Sequence, residues 1–149
     1  MPDDQSAPPQ SIGAVVQAPA REARARGDEC AIVIFGAFGD LTKRLVMPAL
    51  YNLARTKALP DNFALIGVDM AEGTAESWAT HLHDMLESFV GNASSEFNVD
   101  SIDEDVWKGL AARMSYVRGD ITKPELYNSL AQLLETVAEQ HSTGGNVIF

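Results

Sequence analysis

The sequence holds a single cysteine, Cys30, among 149 residues. No internal disulfide can form, which excludes a disulfide-stapled secreted scaffold and fits a reducing compartment. No stretch approaches the ~18 consecutive apolar residues of a membrane-spanning helix, so no membrane role is expected. The N-terminus also lacks the basic patch and apolar core of a secretory signal. The segment APAREARARG has the Arg- and Ala-rich composition of a transit peptide, but Asp3, Asp4 and Glu22 run against it. Cytoplasm is the expected location. Positive charge is scarce as well: 11 Lys and Arg face 21 Asp and Glu, a formal net charge of −10. Such a surface repels phosphate backbones and argues against a general nucleic-acid binder. It leaves room for a small anionic ligand at a site that runs against the global sign.

Aromatic and bulky aliphatic residues are nearly missing from residues 1–27, which carry four of the seven prolines. That segment buries too little apolar surface to offset its ordering entropy and is expected to be a disordered tail. From residue 28 the pattern changes. Ala31-Ile32-Val33-Ile34-Phe35 is an uninterrupted apolar run ending at glycine, as a strand buried on both faces should be. Phe63–Val68 repeats the design and ends at Asp69, Ser115–Arg118 is a weaker third strand, and Asn146–Phe149 opens a fourth.

Helical spacing fills the gaps. Leu45, Val46, Leu50 and Leu53 suit a helix from about Asp40 to Ala58, with a kink or break near Met47 because Pro48 lies inside it. Trp78, Leu82, Met85, Leu86 and Phe89 mark a second helix, and Val106, Trp107, Leu110 and Met114 a third, shorter one. Leu126, Leu130, Leu133, Leu134 and Val137 mark a fourth, started by Thr122 and Pro124. Alternating strands and helices predict an α/β fold, a Rossmann-like doubly wound parallel sheet with right-handed crossovers. The chain ends inside a strand-like segment, so an incomplete domain over residues 28–149 is expected, with a catalytic domain absent.

The chemistry-bearing motif is Gly36-Ala37-Phe38-Gly39-Asp40-Leu41-Thr42-Lys43-Arg44, directly after the first strand and opening the first helix. There a glycine turn lets backbone N–H groups and a helix start face a pyrophosphate. The usual G-x-G-x-x-G would put glycine where Phe38 stands. A P-loop is excluded, since Asp40 follows Gly39 where lysine would be required. Without a ligand, two such glycines would make only a tight turn.

The run VIFGAFGDLTKRLVMPALYNL, Val33–Leu53, resembles the opening strand, coenzyme loop and first helix of glucose-6-phosphate dehydrogenases. ALPDNFALIGVD, SYVRGDIT and GGNVIF follow in family order, and Pro48 occupies a place where the family carries proline. The resemblance implies oxidation of glucose 6-phosphate at C1 to 6-phosphogluconolactone, with hydride passing to NAD or NADP. It assigns Gly36, Ala37, Gly39, Asp40, Leu41, Thr42 and Lys43 to the coenzyme loop. Phe38 departs from the pattern, standing where a Ser or Thr hydroxyl would lie near the ribose and phosphates. Leu45 replaces a basic residue that helps hold the sugar phosphate in many members.

Met70 departs too, standing where many members present an arginine to the 2′-phosphate of NADP; Asp69 precedes it. A carboxylate there accepts hydrogen bonds from a ribose 2′-OH and repels a 2′-phosphate, so NAD is expected to be accepted well. The alternative is that Asp69 simply ends a strand while Lys43, Arg44 or a residue beyond position 149 handles the 2′-phosphate. The family's catalytic histidine motif, of the form RIDHYLGKE, does not occur, and neither does its EKP motif. No catalytic residue is therefore assigned, and little or no turnover is expected of the chain alone. Family members form homo-oligomers through surfaces that do not map onto these residues.

Other readings remain open: a non-catalytic nucleotide-binding module, or another NAD(P)-dependent oxidoreductase. A short-chain reductase or epimerase would need Tyr-x-x-x-Lys, yet Tyr51 is followed by Arg55 and Tyr127 by Ala131. No metal site is expected. His81 and His83 stand about 200° apart on a helix and cannot share an ion. The acidic stretch Glu96–Asp105 lacks an EF-hand's alternating ligands and glycine. Cys30, Trp78 and Trp107 read as core.

Overall fold

The computed structural model describes residues 26–95 and 97–149; the expected tail, 1–27, falls almost wholly outside the described residues. Four strands, β1 (Cys30–Phe35), β2 (Phe63–Asp69), β3 (Met114–Arg118) and β4 (Val147–Ile148), form one parallel sheet in the order β3-β2-β1-β4. The two apolar runs become the central pair, where both faces are covered and a continuous hydrophobic stretch is needed. Four α-helices join them: α1 (Met47–Arg55), α2 (Ala75–Phe89), α3 (Glu104–Ala111) and α4 (Pro124–His141). One core sets Ile34, Leu65 and Met114 against Met47, Tyr51, Trp78, Leu82 and Leu110 of α1–α3. The other sets Ala31, Val33, Ile66 and Val68 against Leu126, Leu130 and Val137 of α4. The sheet is doubly wound, as expected.

Several local expectations are corrected. The first helical segment enters through a π-helical turn, Thr42–Val46, before α1. Pro48 falls just after this turn, inside a helical run unbroken from Asp40 to Arg55, and the wider π turn before it accommodates the missing N–H and the ring. The wider π turn shifts the phase of the helix, so Met47, Leu50 and Tyr51 face the core. Leu45 and Leu53, expected on that face, are exposed. Met114, placed on the stripe of α3, is instead the buried first residue of β3, because α3 ends at Ala111. Thr122 does not cap α4; its hydroxyl donates to Asp120, and Lys123 takes the cap position without a side-chain bond. A reciprocal capping box between Thr74 and Ser77 starts α2, and Asp103 caps α3 through the N–H groups of Asp105 and Val106. Each such cap satisfies donors that a helix start leaves orphaned.

This topology positions the site. From β1 the chain steps outward to β2 and β3, then returns to β4 on the other side of β1. The strand order reverses between β1 and β4, and the crevice at the carboxyl ends of such a pair is where open α/β sheets bind ligands. The glycine turn follows β1 at that point.

Candidate functional site

Gly36 leaves β1 with φ +78°, a conformation that side chains resist. A Cβ built there would meet nothing within 4 Å, so the space above it is open. The Gly36 and Ala37 N–H groups both donate to Val68 O, at 2.8 and 3.1 Å, and Gly39 N–H donates to Gly36 O at 2.8 Å. A Cβ on Gly39 would lie 2.9 Å from that same carbonyl, so glycine is required. The buried Thr42 hydroxyl also donates to Gly36 O, at 2.9 Å, and thus faces into the turn.

Asp69, at the end of β2, ties the turn to the neighbouring strand. Its Oδ2 accepts from Phe38 N–H at 2.9 Å, and Oδ1 accepts from Ala71 N–H at 3.2 Å. A carboxylate offers about four lone-pair sites, so it keeps capacity for a further donor. From below, the fully buried Trp78 donates its indole N–H to Ala37 O at 2.9 Å. Gly67 of β2 makes room for this arrangement: a Cβ there would come within 2.9 Å of Ala37 and 3.0 Å of the Trp78 ring.

The Phe38 ring is turned inward, 5.3 Å from the His81 ring and 5.5 Å from that of Tyr116. It therefore holds the turn by packing where a hydroxyl would have faced a ligand. Tyr116 donates to Ala71 O at 2.5 Å, and burial, followed by the Asp69 charge, pushes its phenol above the ordinary value.

The four amides of residues 36–39 are thus all used inside the fold. An anion at the turn would meet the N–H groups of the following helix start, near Asp40 and Leu41, which have no intrahelical acceptor. Leu41 and Met70 are well exposed, Lys43 is half-buried, and Asp40 pairs with Arg44 across one turn at 3.0 Å. Ten residues expected at the site, Gly36 to Lys43 with Asp69 and Met70, therefore meet at one carboxyl edge of the sheet. Arg118, at the end of β3, joins them unannounced: its Nε donates to Met70 O at 3.0 Å and its Nη1 reaches Glu72 at 3.2 Å. Glu72 lies two residues past the expected pair, and only β2–β3 pairing brings Arg118 beside it.

A family model described as the NAD binding domain of glucose-6-phosphate dehydrogenase matches residues 33–149. The chain belongs to that family. Glucose-6-phosphate 1-dehydrogenase of Chlamydia muridarum (strain MoPn / Nigg) is 37% identical over 120 residues, covering 80% of this chain and 22% of that protein. Glucose-6-phosphate 1-dehydrogenase 2 of Mycobacterium tuberculosis (strain ATCC 25618 / H37Rv) is 33% identical over the same length. The crystal structure of glucose-6-phosphate 1-dehydrogenase from Mycobacterium avium superposes with a TM-score of 0.60 at 28% identity, over 73% of this chain and 22% of that one. A glucose-6-phosphate dehydrogenase solved with its substrate glucose 6-phosphate shares the fold, with a TM-score of 0.63 at 24% identity over 79% of this chain. The chain thus spans 22% of the length of such relatives. Among its described residues, no helix is long and apolar enough to cross a membrane.

Proposed function

We propose that residues 28–149 form the coenzyme-binding part of an enzyme that oxidises glucose 6-phosphate at C1 to the lactone, and that the Gly36–Lys43 turn holds the coenzyme pyrophosphate. The observation that carries this reading is the turn itself. Gly36 opens it, Gly39 closes it over a carbonyl that a Cβ would strike, and a helix start follows at the switch point of the sheet. When bound, NAD or NADP supplies the nicotinamide carbon that receives the hydride.

The residues of this chain would bind and orient. The Asp40 and Leu41 amides meet the pyrophosphate, Lys43 adds positive charge at its rim, and Asp69 accepts from the adenosine ribose. Asp69 would repel a 2′-phosphate and Met70 offers no charge to hold it, while the nearby Arg118 is engaged by Glu72; NAD is favoured over NADP. No side chain here serves as the base for the C1 hydroxyl. Glucose 6-phosphate is held and deprotonated by a second domain, in the reducing environment of the cytoplasm that the lone buried Cys30 suits.

Calorimetric titration of the chain with NAD⁺ and with NADP⁺ tests the reading. Saturable binding of NAD⁺ that Gly39→Ala abolishes is the expected result. Equal weak binding by the wild type and Gly39→Ala would remove the turn from the site.

A further inference from the structure

Away from the coenzyme edge, α2 and α3 converge on a cleft of 590 Å³ lined by Ala79, Thr80, His83, Glu104 and Trp107 among others. At its mouth, His83 and Glu87 stand four residues apart on α2, on one face of the helix. Glu104, the first residue of α3, closes the group, with its Oε1 2.9 Å from His83 Nε2. One donor atom from each of the three residues lies within 4.8 Å of the other two.

We infer that His83, Glu87 and Glu104 form a binding site for a divalent transition-metal ion of the Zn²⁺ type, independent of the coenzyme reading. The donor set decides the class. One imidazole nitrogen and two carboxylates suit Zn²⁺ with a water as fourth ligand, whereas Ca²⁺ and Mg²⁺ demand six or more oxygens. Bond lengths near 2.1 Å put tetrahedral ligand atoms about 3.4 Å apart. His83 and Glu104 are slightly closer than that and would open by a few tenths of an ångström, while Glu87, exposed on the surface, swings in by a rotamer change. Two carboxylates and a neutral imidazole sum to two negative charges, which a divalent cation cancels.

The ring of His83 is also pre-set. It packs edge-on against Trp107, with centroids 5.3 Å apart and planes inclined by 60°, leaving Nε2 directed at Glu104. Fixing a ligand ring in this way lowers the entropy that binding must overcome. Because the ligands come from two helices, the ion would fasten α2 to α3 where the His83–Glu104 contact and the packing of His83 on Trp107 already join them.

The test is a titration of the untagged full chain with Zn²⁺ by calorimetry, in parallel with thermal unfolding. The sequence has only three histidines, so background sites are few. Expected are one saturable site, a rise in Tm with Zn²⁺ and no rise with Ca²⁺. Glu87→Gln and His83→Ala should each weaken binding by about tenfold or more, and His141→Ala should leave it unchanged. Glu87 is exposed, so Glu87→Gln keeps the fold and reads the site cleanly even if His83→Ala loosens the α2–α3 contact. No saturable binding, or Zn²⁺ affinity unchanged in Glu87→Gln, would overturn the proposal.

Discussion

Replacing Asp69 by Asn separates the structural role of this carboxylate from the coenzyme-discriminating role proposed for it. Asn keeps one acceptor oxygen for Phe38 N–H, the 2.9 Å bond that pins the glycine turn. It surrenders the second acceptor, now used by Ala71 N–H at 3.2 Å, and the negative charge. Losing one such bond costs about 1 kcal/mol of stability, so Tm should fall by only a few degrees. The effect on coenzyme choice should be larger. At a wet rim, two unit charges about 4 Å apart interact by ~1 kcal/mol, and a phosphate carries close to two charges. Removing that repulsion favours NADP by ~1–2 kcal/mol. Weakening the charged acceptor for the 2′-OH costs NAD about 1 kcal/mol. Together these raise the NADP-to-NAD affinity ratio roughly 30- to 150-fold, at 1.4 kcal/mol per factor of ten. Titrating NADH and NADPH by fluorescence into the same variant measures the ratio and cancels general damage to the fold. An unchanged ratio in a folded Asp69→Asn would refute the role assigned to the charge.

Further outcomes follow from the same geometry. Trp78→Phe removes the indole donor to Ala37 O from a fully buried position, so denaturant melts should show a loss of about 2 kcal/mol, with weakened coenzyme binding. Burial, then the Arg113 charge, holds His141 below its ordinary value of 6.5. The unfolded chain then takes up this proton before the folded one does, so stability is full above pH 6.5 and falls as pH drops through it. Melts from pH 8 to 5 should show this limb, and His141→Asn should flatten it. The purified 149-residue chain should show no glucose-6-phosphate-dependent reduction of NAD⁺ or NADP⁺, read at 340 nm, because its sequence lacks a motif of the form RIDHYLGKE.

Much of the architecture is written locally. The apolar runs of β1 and β2, the 3.6-residue stripes of α2 and α4, and the glycine turn each declare themselves within a few residues. The order of elements then leaves a doubly wound sheet as the natural solution. The misplacements have local causes too. Met114 continues the spacing of α3, and only the end of that helix at Ala111 moves it into β3. The π turn before Pro48 rotates α1 and exposes Leu53, a shift that no stripe of hydrophobic residues encodes. At the candidate site, the glycine motif and the strand-end carboxylate stand in the sequence, but their connections join positions far apart in it. Asp69 and Phe38 are 31 residues apart, and Trp78 and Ala37 are 41. Arg118 reaches Met70 only through strand pairing, and Glu104 reaches His83 only because α3 folds onto α2. Periodicity carries no information about such meetings.

The central claim is that the Gly36–Lys43 turn, with Asp69, is the coenzyme site. It is tested most directly by following backbone amide signals of the ¹⁵N-labelled chain during an NAD⁺ titration. The account predicts saturable shifts centred on Gly36–Lys43, Asp69 and Met70, strongest at Asp40 and Leu41, with the α2–α3 cleft and the far end of the sheet silent. Saturable binding whose shifts spare the turn, or no binding at millimolar NAD⁺ by a folded chain, would contradict it.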